Sequence, residues 1–309
     1  MDKIVIIGAN SFQNPLILKA KEMGLETHVF AWESGDIGEK TADYFYPISI
    51  TEKEKILEKC KKIKPKAIAS IGSDLAVLTV NYLAEELGLV GNDNSNSLIC
   101  TNKYEMRKAF QKANVKVPKF KKVSNDSEIN VENFEMPVIV KPTDRSGSRG
   151  ITLVEDMDKL KEAVKNATAN SFEKKAIIEE FIRGNEYSCE CISYKGKHHF
   201  LAITKKFTTG APHFIETGHI EPSDLSEDEE KIVKEEVFKA LDALKIKNGP
   251  SHTEFKIDSN GKIGIIEIGA RMGGDCIGSD LVQISTGYDF LKLTIDVAMR
   301  KRTNIRKSI

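Results

Sequence analysis

Two glutamates near the end of the chain, Glu254 and Glu267, lie in "SHTEFKI" and "GIIEIG", which flank "DSNGK". Asn260-Gly261 between them is a strong two-residue hairpin signal. With those two residues in the turn, Glu254 falls directly opposite Glu267, their Cβ atoms about 5 Å apart, where like charges are unfavourable. Something positive must compensate. One candidate is a divalent ion bridging both carboxylates, with Mg²⁺ shared with nucleotide phosphates suiting an oxygen-only site. The other is a solvent-facing pair screened by Lys256 or Arg271.

A second stretch, "KPTDRSGSRG" (residues 141–150), follows the apolar run Val138-Ile139-Val140. A hairpin between "PVIVK" and "ITLVE" needs far fewer residues than this connection spends. Gly147 and Gly150 let backbone N–H groups approach an anion, Ser146 and Ser148 add donors, and Lys141 supplies a point charge at a strand end. The stretch reads as a phosphate cradle or as a flexible turn. It is not a Walker loop, because the lysine precedes the glycines and no helix follows at once. A third stretch, "AIIEEFIRGNEYSCE", places Glu186 and Glu190 on one face of a strand by period two. They suit ribose hydroxyls or an adenine amine, or else are solvated edge charges.

The elements that carry these residues change in style along the chain. Over the first hundred residues, "KIVIIGA", "THVFAW", "KAIASIG" and "GLVG" read as strands. They alternate with helices, one started at Asn14-Pro15 and another running from Asp74 to Gly88. Repeated βα units make a right-handed parallel sheet with its functional loops at the strands' carboxyl ends. From Thr101 or Asn102 a helix opens, and hairpin-like strands then dominate: 137–141 with 151–154, 176–182, 186–194 with 197–205, and 252–257 with 263–268. Two helices interrupt them, "DKLKEAVKNA" and one opened by a Ser226–Glu229 capping box.

Composition bounds the function. A chain of 309 residues is long enough for two or three domains or lobes, and 40% hydrophobic with 30% charged residues reads as globular. Lys+Arg and Asp+Glu both total 46, so no global field favours nucleic acid or an anionic membrane. No apolar run is long enough to span a bilayer, and "MDKIVIIGAN" lacks a signal peptide's apolar core. Five cysteines without a CxxC pair suggest reduced thiols in the cytoplasm, with Cys189 and Cys191 as core thiols. The "RKRTNIRK" tail (300–307) reads as a solvated basic end.

In their order, "NKYEMR", "VIVKP", "SGSRG", "IIEEFIRGNE" and the Glu pair closing on "EIGARMGG" resemble the ATP-grasp superfamily, carboxylate–amine/thiol ligase branch, over nearly the whole chain. The resemblance implies an α/β and α+β fold. A Rossmann-like parallel-sheet domain, the pre-ATP-grasp domain, would span 1–100. An ATP-grasp domain would span 101–309, with a small nucleotide-binding lobe (101–182) and a larger lobe (183–309) carrying metal and substrate sites. It further implies that Lys103 and Lys141 bind α- and β-phosphates and that Ser146, Gly147, Ser148 and Gly150 belong to a lid. Glu179, Glu180, Phe181 and Ile182 would form the adenine hinge, Glu186 would hold the ribose, and Glu254 and Glu267 would hold Mg²⁺ or Mn²⁺. The implied reaction sends a carboxylate to the γ-phosphate of ATP, and an amine captures the acyl phosphate.

"KFTTGAPHFIETGHIEP" and "ARMGGD" are most similar to bacterial L-amino-acid ligases. That likeness puts Glu216, His219, Gly273 and Gly274 at the substrates and gives Arg271, with Lys141, a catalytic part, Arg271 on the acyl phosphate and substrate carboxylate. Such enzymes are commonly homodimers. Two departures stand out. The family commonly has Asn where this chain has Gly269, so a metal ligand is expected to be missing or replaced by water or another side chain. Longer amino-acid ligases also carry a further C-terminal segment that shapes the substrate site, which leaves the acceptor open.

Three other readings compete. A nicotinamide oxidoreductase lacks its G-x-G-x-x-G, since Gly8 is followed by Ala9, Asn10, Ser11, Phe12 and Gln13. A non-catalytic nucleotide-binding protein is at odds with Lys141, Glu254, Glu267 and Arg271 occurring together. An enzyme activating bicarbonate sits poorly with a loop as long as 206–221.

Overall fold

The structure, a computed structural model, describes residues 1–124, 129, 131–211 and 214–301. Residues 212 and 213 of "TTGAPHF" and the tail from 302 onward lie outside the described residues. No helix among the described residues is long and apolar enough to cross a membrane.

The first apolar run becomes β1 (Lys3–Ile7). With β2 (Glu26–Ala31), β3 (Tyr44–Pro47) and β4 (Ala67–Ala69) it forms a parallel sheet in the order β3-β2-β1-β4. Ile4 and Ile6 face one apolar cluster, Val5 and Ile7 another, so both faces are covered and the strand reads as a continuous apolar run. β3, half exposed and short, was not expected. Residues 88–91, expected as a strand, instead close the helix Asp74–Glu86. Gly88 has φ +63° and the Leu89 N–H returns to the Ala84 carbonyl (2.8 Å), a Schellman end. Ser73, not Asp74, caps that helix by accepting from the Ala76 N–H (3.3 Å), which leaves the Asp74 carboxylate free for other work.

A second, antiparallel sheet comprises β5 (Phe120–Ser124), β6 (Val138–Pro142), β7 (Thr152–Val154) and β8 (Lys175–Glu180) in the order β5-β8-β6-β7, backed by the helix Leu160–Asn170. The third is also antiparallel: β9 (Asn185–Tyr194), β10 (Lys197–Thr208), β11 (Glu216–Ile220), β12 (Gly249–Ile257) and β13 (Ile263–Gly269), ordered β11-β10-β9-β12-β13. The stretch 206–221, expected as a loop, is instead the end of β10 and a return strand, with Lys206 paired to His219. The helix Glu227–Ala243 opens with the expected capping box and covers this sheet, with Cys189 and Cys191 buried beneath it.

Two helices tie the sheets together. Lys103–Lys112 is capped by Asn102, whose side chain accepts from the Tyr104 and Glu105 N–H groups (3.1 and 3.2 Å), while its Met106 and Phe110 pack over the third sheet. Phe290–Ala298 returns to the first sheet, where Phe290, Leu293 and Ile295 join Ile4, Leu16 and Ile17 in a cluster that also holds Ile192 and Leu201 of the third. The first and third sheets therefore share one apolar core.

Candidate active site

The hairpin of β12 and β13 brings Glu254 and Glu267 face to face, but by a route the sequence did not suggest. The connection is five residues, not two: Ile257 pairs with Ile263, Asp258 N–H bonds the Lys262 carbonyl (3.1 Å), and Gly261 takes φ +73°. That longer loop shifts the ladder by one, so Phe255 pairs with Ile265. A bulge at Ile266 restores the register and Glu254 meets Glu267. The Ile266 carbonyl at the bulge accepts a hydrogen bond from Arg107 Nη2 (2.7 Å).

The cations in direct contact with the pair are neither Lys256 nor Arg271, although Arg271 is close enough to feel both carboxylates. Lys103 Nζ bonds Glu267, while Lys206 Nζ lies 2.8 Å from Glu254 Oε1 and 2.8 Å from Glu216 Oε1. His252 Nε2 is 3.3 Å from the same Glu254 oxygen, and its Nδ1 bonds Glu190. Burial alone would push the Glu254 carboxyl up, but Lys206 and His252 outweigh it and hold the group well below the usual carboxylate range. For His252, burial pushes the imidazole down, yet Glu190 and Glu254 raise it to about 9, so it is cationic at neutral pH. Glu190 is not the solvated edge charge that was one reading of it: it is fully buried, and its other oxygen accepts the Gly273 N–H (3.1 Å).

Across a cavity of about 300 Å³ lies the second sheet's contribution. Lys141, 5% exposed at the end of β6, is held by Glu179 Oε2 at 2.9 Å, and Arg107 grips the same carboxylate. The Glu179 side chain thus points inward and orients Lys141. Its carboxyl, which burial would raise, is held at about 2 by Arg107 and Lys141. The cavity is lined further by Ser146, Gly147 and Ser148 of the loop after β6, and by Glu180, Phe181, Ile182 and Glu186 around the crossing from β8 to β9. Ser148 Oγ reaches the Phe214 carbonyl (3.3 Å), and the Phe214 ring stands 5.9 Å from that of Phe181. Lys256 Nζ lies 4.5 Å from the Phe181 ring centre and 3.6 Å from Glu186, whose carboxyl is raised by burial and by Glu254.

Arg271 and Gly274 line the same cavity, as does Glu216, whose Oε2 is 3.3 Å from His219 Nε2. Three residues singled out from sequence stand behind its wall. Gly150 packs against Asn170 and Pro142, Gly273 against Glu190 and His252, and His219 beside Glu216. Four residues that matter here carried no role in the sequence reading: Asp74, Arg107, Lys206 and His252. The period-two alternation of β10 and β12, together with the demand of a buried carboxylate for a cation, could have pointed to Lys206 and His252. No local signal pairs Asp74 or Arg107 with partners this distant in sequence.

The donor set fits a hard divalent ion: two opposed carboxylates offer its oxygen ligands, and Lys103 and Lys141 border the same cavity. A family model described as an ATP-grasp domain matches residues 134–280. Alanine–anticapsin ligase of Bacillus subtilis (strain 168) is 30% identical over 297 residues, covering 85% of this chain and 62% of that protein. D-alanine–D-alanine ligase A of Clostridium perfringens (strain 13 / Type A) is 31% identical over 222 residues, covering 66% of this chain and 73% of the other. L-amino acid ligase from Bacillus licheniformis, a solved structure, has a TM-score of 0.86 at 26% identity, covering 99% of this chain and 78% of that one. The chain spans 62% of the length of the first of these relatives. On the match of domain, relatives and site together, the chain belongs to the ATP-grasp family.

Proposed function

We propose that the chain is an ATP-dependent carboxylate–amine ligase, joining a small carboxylate, such as an amino acid, to an amine through an acyl phosphate and releasing ADP and phosphate. The observation that carries this reading is the opposed pair Glu254–Glu267, flanked by Lys103 and facing Lys141 across the cavity. In it, Glu254 and Glu267 would hold Mg²⁺, which neutralises charge between the β- and γ-phosphates when bound. Lys103 and Lys141 bind phosphate oxygens, and the loop Ser146–Gly150 encloses them and excludes water. The hinge from Glu180 to Ile182 seats the base, with Phe181 and Phe214 beside it, and Glu186 accepts from the ribose.

On the acid side, Arg271 suits carboxylate and phosphoryl oxygens through its planar donors. Most of the catalysis asked of these residues is positioning and charge neutralisation. Glu216, which borders the cavity with His219 behind it at 3.3 Å, suits receipt of the amine's proton. The β10–β11 hairpin around them favours an acid larger than bicarbonate. Cysteines 60, 100, 189, 191 and 276 are all free, which fits a reducing cytoplasm.

The test is phosphate release from MgATP with pooled amino acids. Release is expected only when both an acid and an amine are present, and Glu267→Gln should reduce it to background while leaving the far-UV spectrum unchanged. Release that ignores the amine, or full turnover by Glu267→Gln, contradicts the proposal.

A further inference from the structure

Gly269 occupies the position where a metal-ligating asparagine was expected, and its surroundings account for the glycine. A Cβ built there would come within 3.0 Å of both Arg271 Nε and Asp74 Oδ1, closer than ordinary packing allows. That space is filled by an ion pair. Arg271 Nε donates to Asp74 Oδ1 (2.8 Å) and Nη2 to Asp74 Oδ2 (3.1 Å), a two-point fork, while Nη1 donates to the Met272 carbonyl (3.1 Å). Of five guanidinium N–H donors, these bonds leave one on each terminal nitrogen. Both partners border the cavity. They come from opposite ends of the chain, Asp74 from the first turn of the helix that follows β4 and Arg271 from just beyond β13.

We propose that Asp74 is the positioning residue for Arg271, and that glycine at 269 is what makes room for it. The carboxylate clamps one edge of the guanidinium, so the remaining N–H groups turn toward the carboxylate and phosphoryl oxygens of the acid substrate. The inference rests on the ligase reading for that substrate, although the pair itself does not. It means the departure at 269 is not a vacancy in the metal site. It also means the acid site is completed by the parallel-sheet region and cannot form from residues after 100 alone.

The experiment pairs kinetics with a spectroscopic readout. Because both changes act through Arg271, Asp74→Asn and Gly269→Ala should each cut kcat/KM for the acid about tenfold or more, mostly through KM, and the double variant should be little worse than the worse single. Affinity for MgATP, by calorimetry, should stay within about twofold. Wild-type kcat/KM in either single variant, or losses that multiply in the double, would overturn the proposal. Independently of turnover, the Arg271 Nε–H resonance, assigned by its loss in Arg271→Lys, should be shifted and slow to exchange in the wild type. It should move among the exposed arginines in Asp74→Asn. If no acid and amine elicit phosphate release, the ligase reading fails while this resonance still decides the pair. An Arg271 signal already exposed in the wild type sinks the pair itself.

Discussion

Glu179 is enclosed by two cations, 2% exposed, with Arg107 on one side and Lys141 on the other. A carboxylate so placed is not surplus charge, because without it two buried cations face each other at low dielectric. Its carboxyl sits at about 2 against an ordinary 4.5, a lowered value, so the stability it contributes is complete above pH 4.5 and is lost as pH falls toward 2. Glu179→Gln keeps the shape and removes the charge. It should cost about 3–5 kcal/mol at pH 7, the range for breaking a buried pair, and should flatten the acid limb between pH 4.5 and 2. Urea titrations at several pH values read both effects. Equal midpoints for wild type and variant at pH 7 would mean that Lys141 and Arg107 find other partners.

The loop after β6 shows how an element divides labour between its glycines. Gly147 has φ +68° and no protein atom near where a Cβ would stand, so within the protein its glycine answers to backbone conformation. Gly150 has φ +70° and a Cβ there would meet Asn170 Cβ at 2.9 Å and Pro142 Cγ at 3.0 Å, so it also seats the loop against the helix Leu160–Asn170. Asparagine tolerates left-handed backbone, so Gly147→Asn should weaken MgATP binding less than Gly150→Ala, which, strained in both backbone and packing, should weaken it about tenfold or more. A calorimetric titration that ranks the two variants the other way refutes this division. The same loop was legible in sequence because glycines, serines and a strand-end lysine are local signals. The strands carrying it were legible by apolar periodicity, and the Ser226 helix by its cap. The hairpin of β12 and β13 was legible only in outcome: Asn260-Gly261 announced a turn, but the turn is longer than two residues, and the bulge at Ile266 cancels the error. Bulges answer to tertiary partners, here the Arg107 Nη2 hydrogen bond to the Ile266 carbonyl, and leave no mark in local spacing. β11, ETGHI, escaped because it carries no apolar run to announce it, and β3, YFYP, because its aromatic run is only three residues long and ends on a proline, which counts against a strand.

At the scale of the whole molecule, the site is a set of ion pairs whose members come from different strands and helices, distant in sequence. Lys103 meets Glu267, Lys206 meets Glu254 and Glu216, Lys141 meets Glu179, and Arg271 meets Asp74. A nucleotide entering alone must draw Lys103 from its carboxylate and leave Glu267, half-buried, without that counterion. A divalent ion entering alone must displace Lys103 and Lys206 from these carboxylates, leaving Lys103 without Glu267 and Lys206 with Glu216 alone. On the proposed reading, an ion entering with the nucleotide would take the carboxylates while Lys103 would turn to the phosphates, so each would remove the penalty of the other. ATP and Mg²⁺ should therefore stabilise the fold jointly: at about a hundredfold excess over Kd the pair should add about 2.7 kcal/mol, and ATP in chelator far less. Glu267→Gln separates this exchange from the simple affinity of Mg²⁺ for ATP in solution, because it frees Lys103 in advance. In that variant, ATP with chelator should bind more tightly than to the wild type, and the benefit of added Mg²⁺ should shrink. If ATP in chelator raises the wild-type melting temperature as much as MgATP does, the lysines are not held by the carboxylates in solution, and the proposed exchange of partners is wrong.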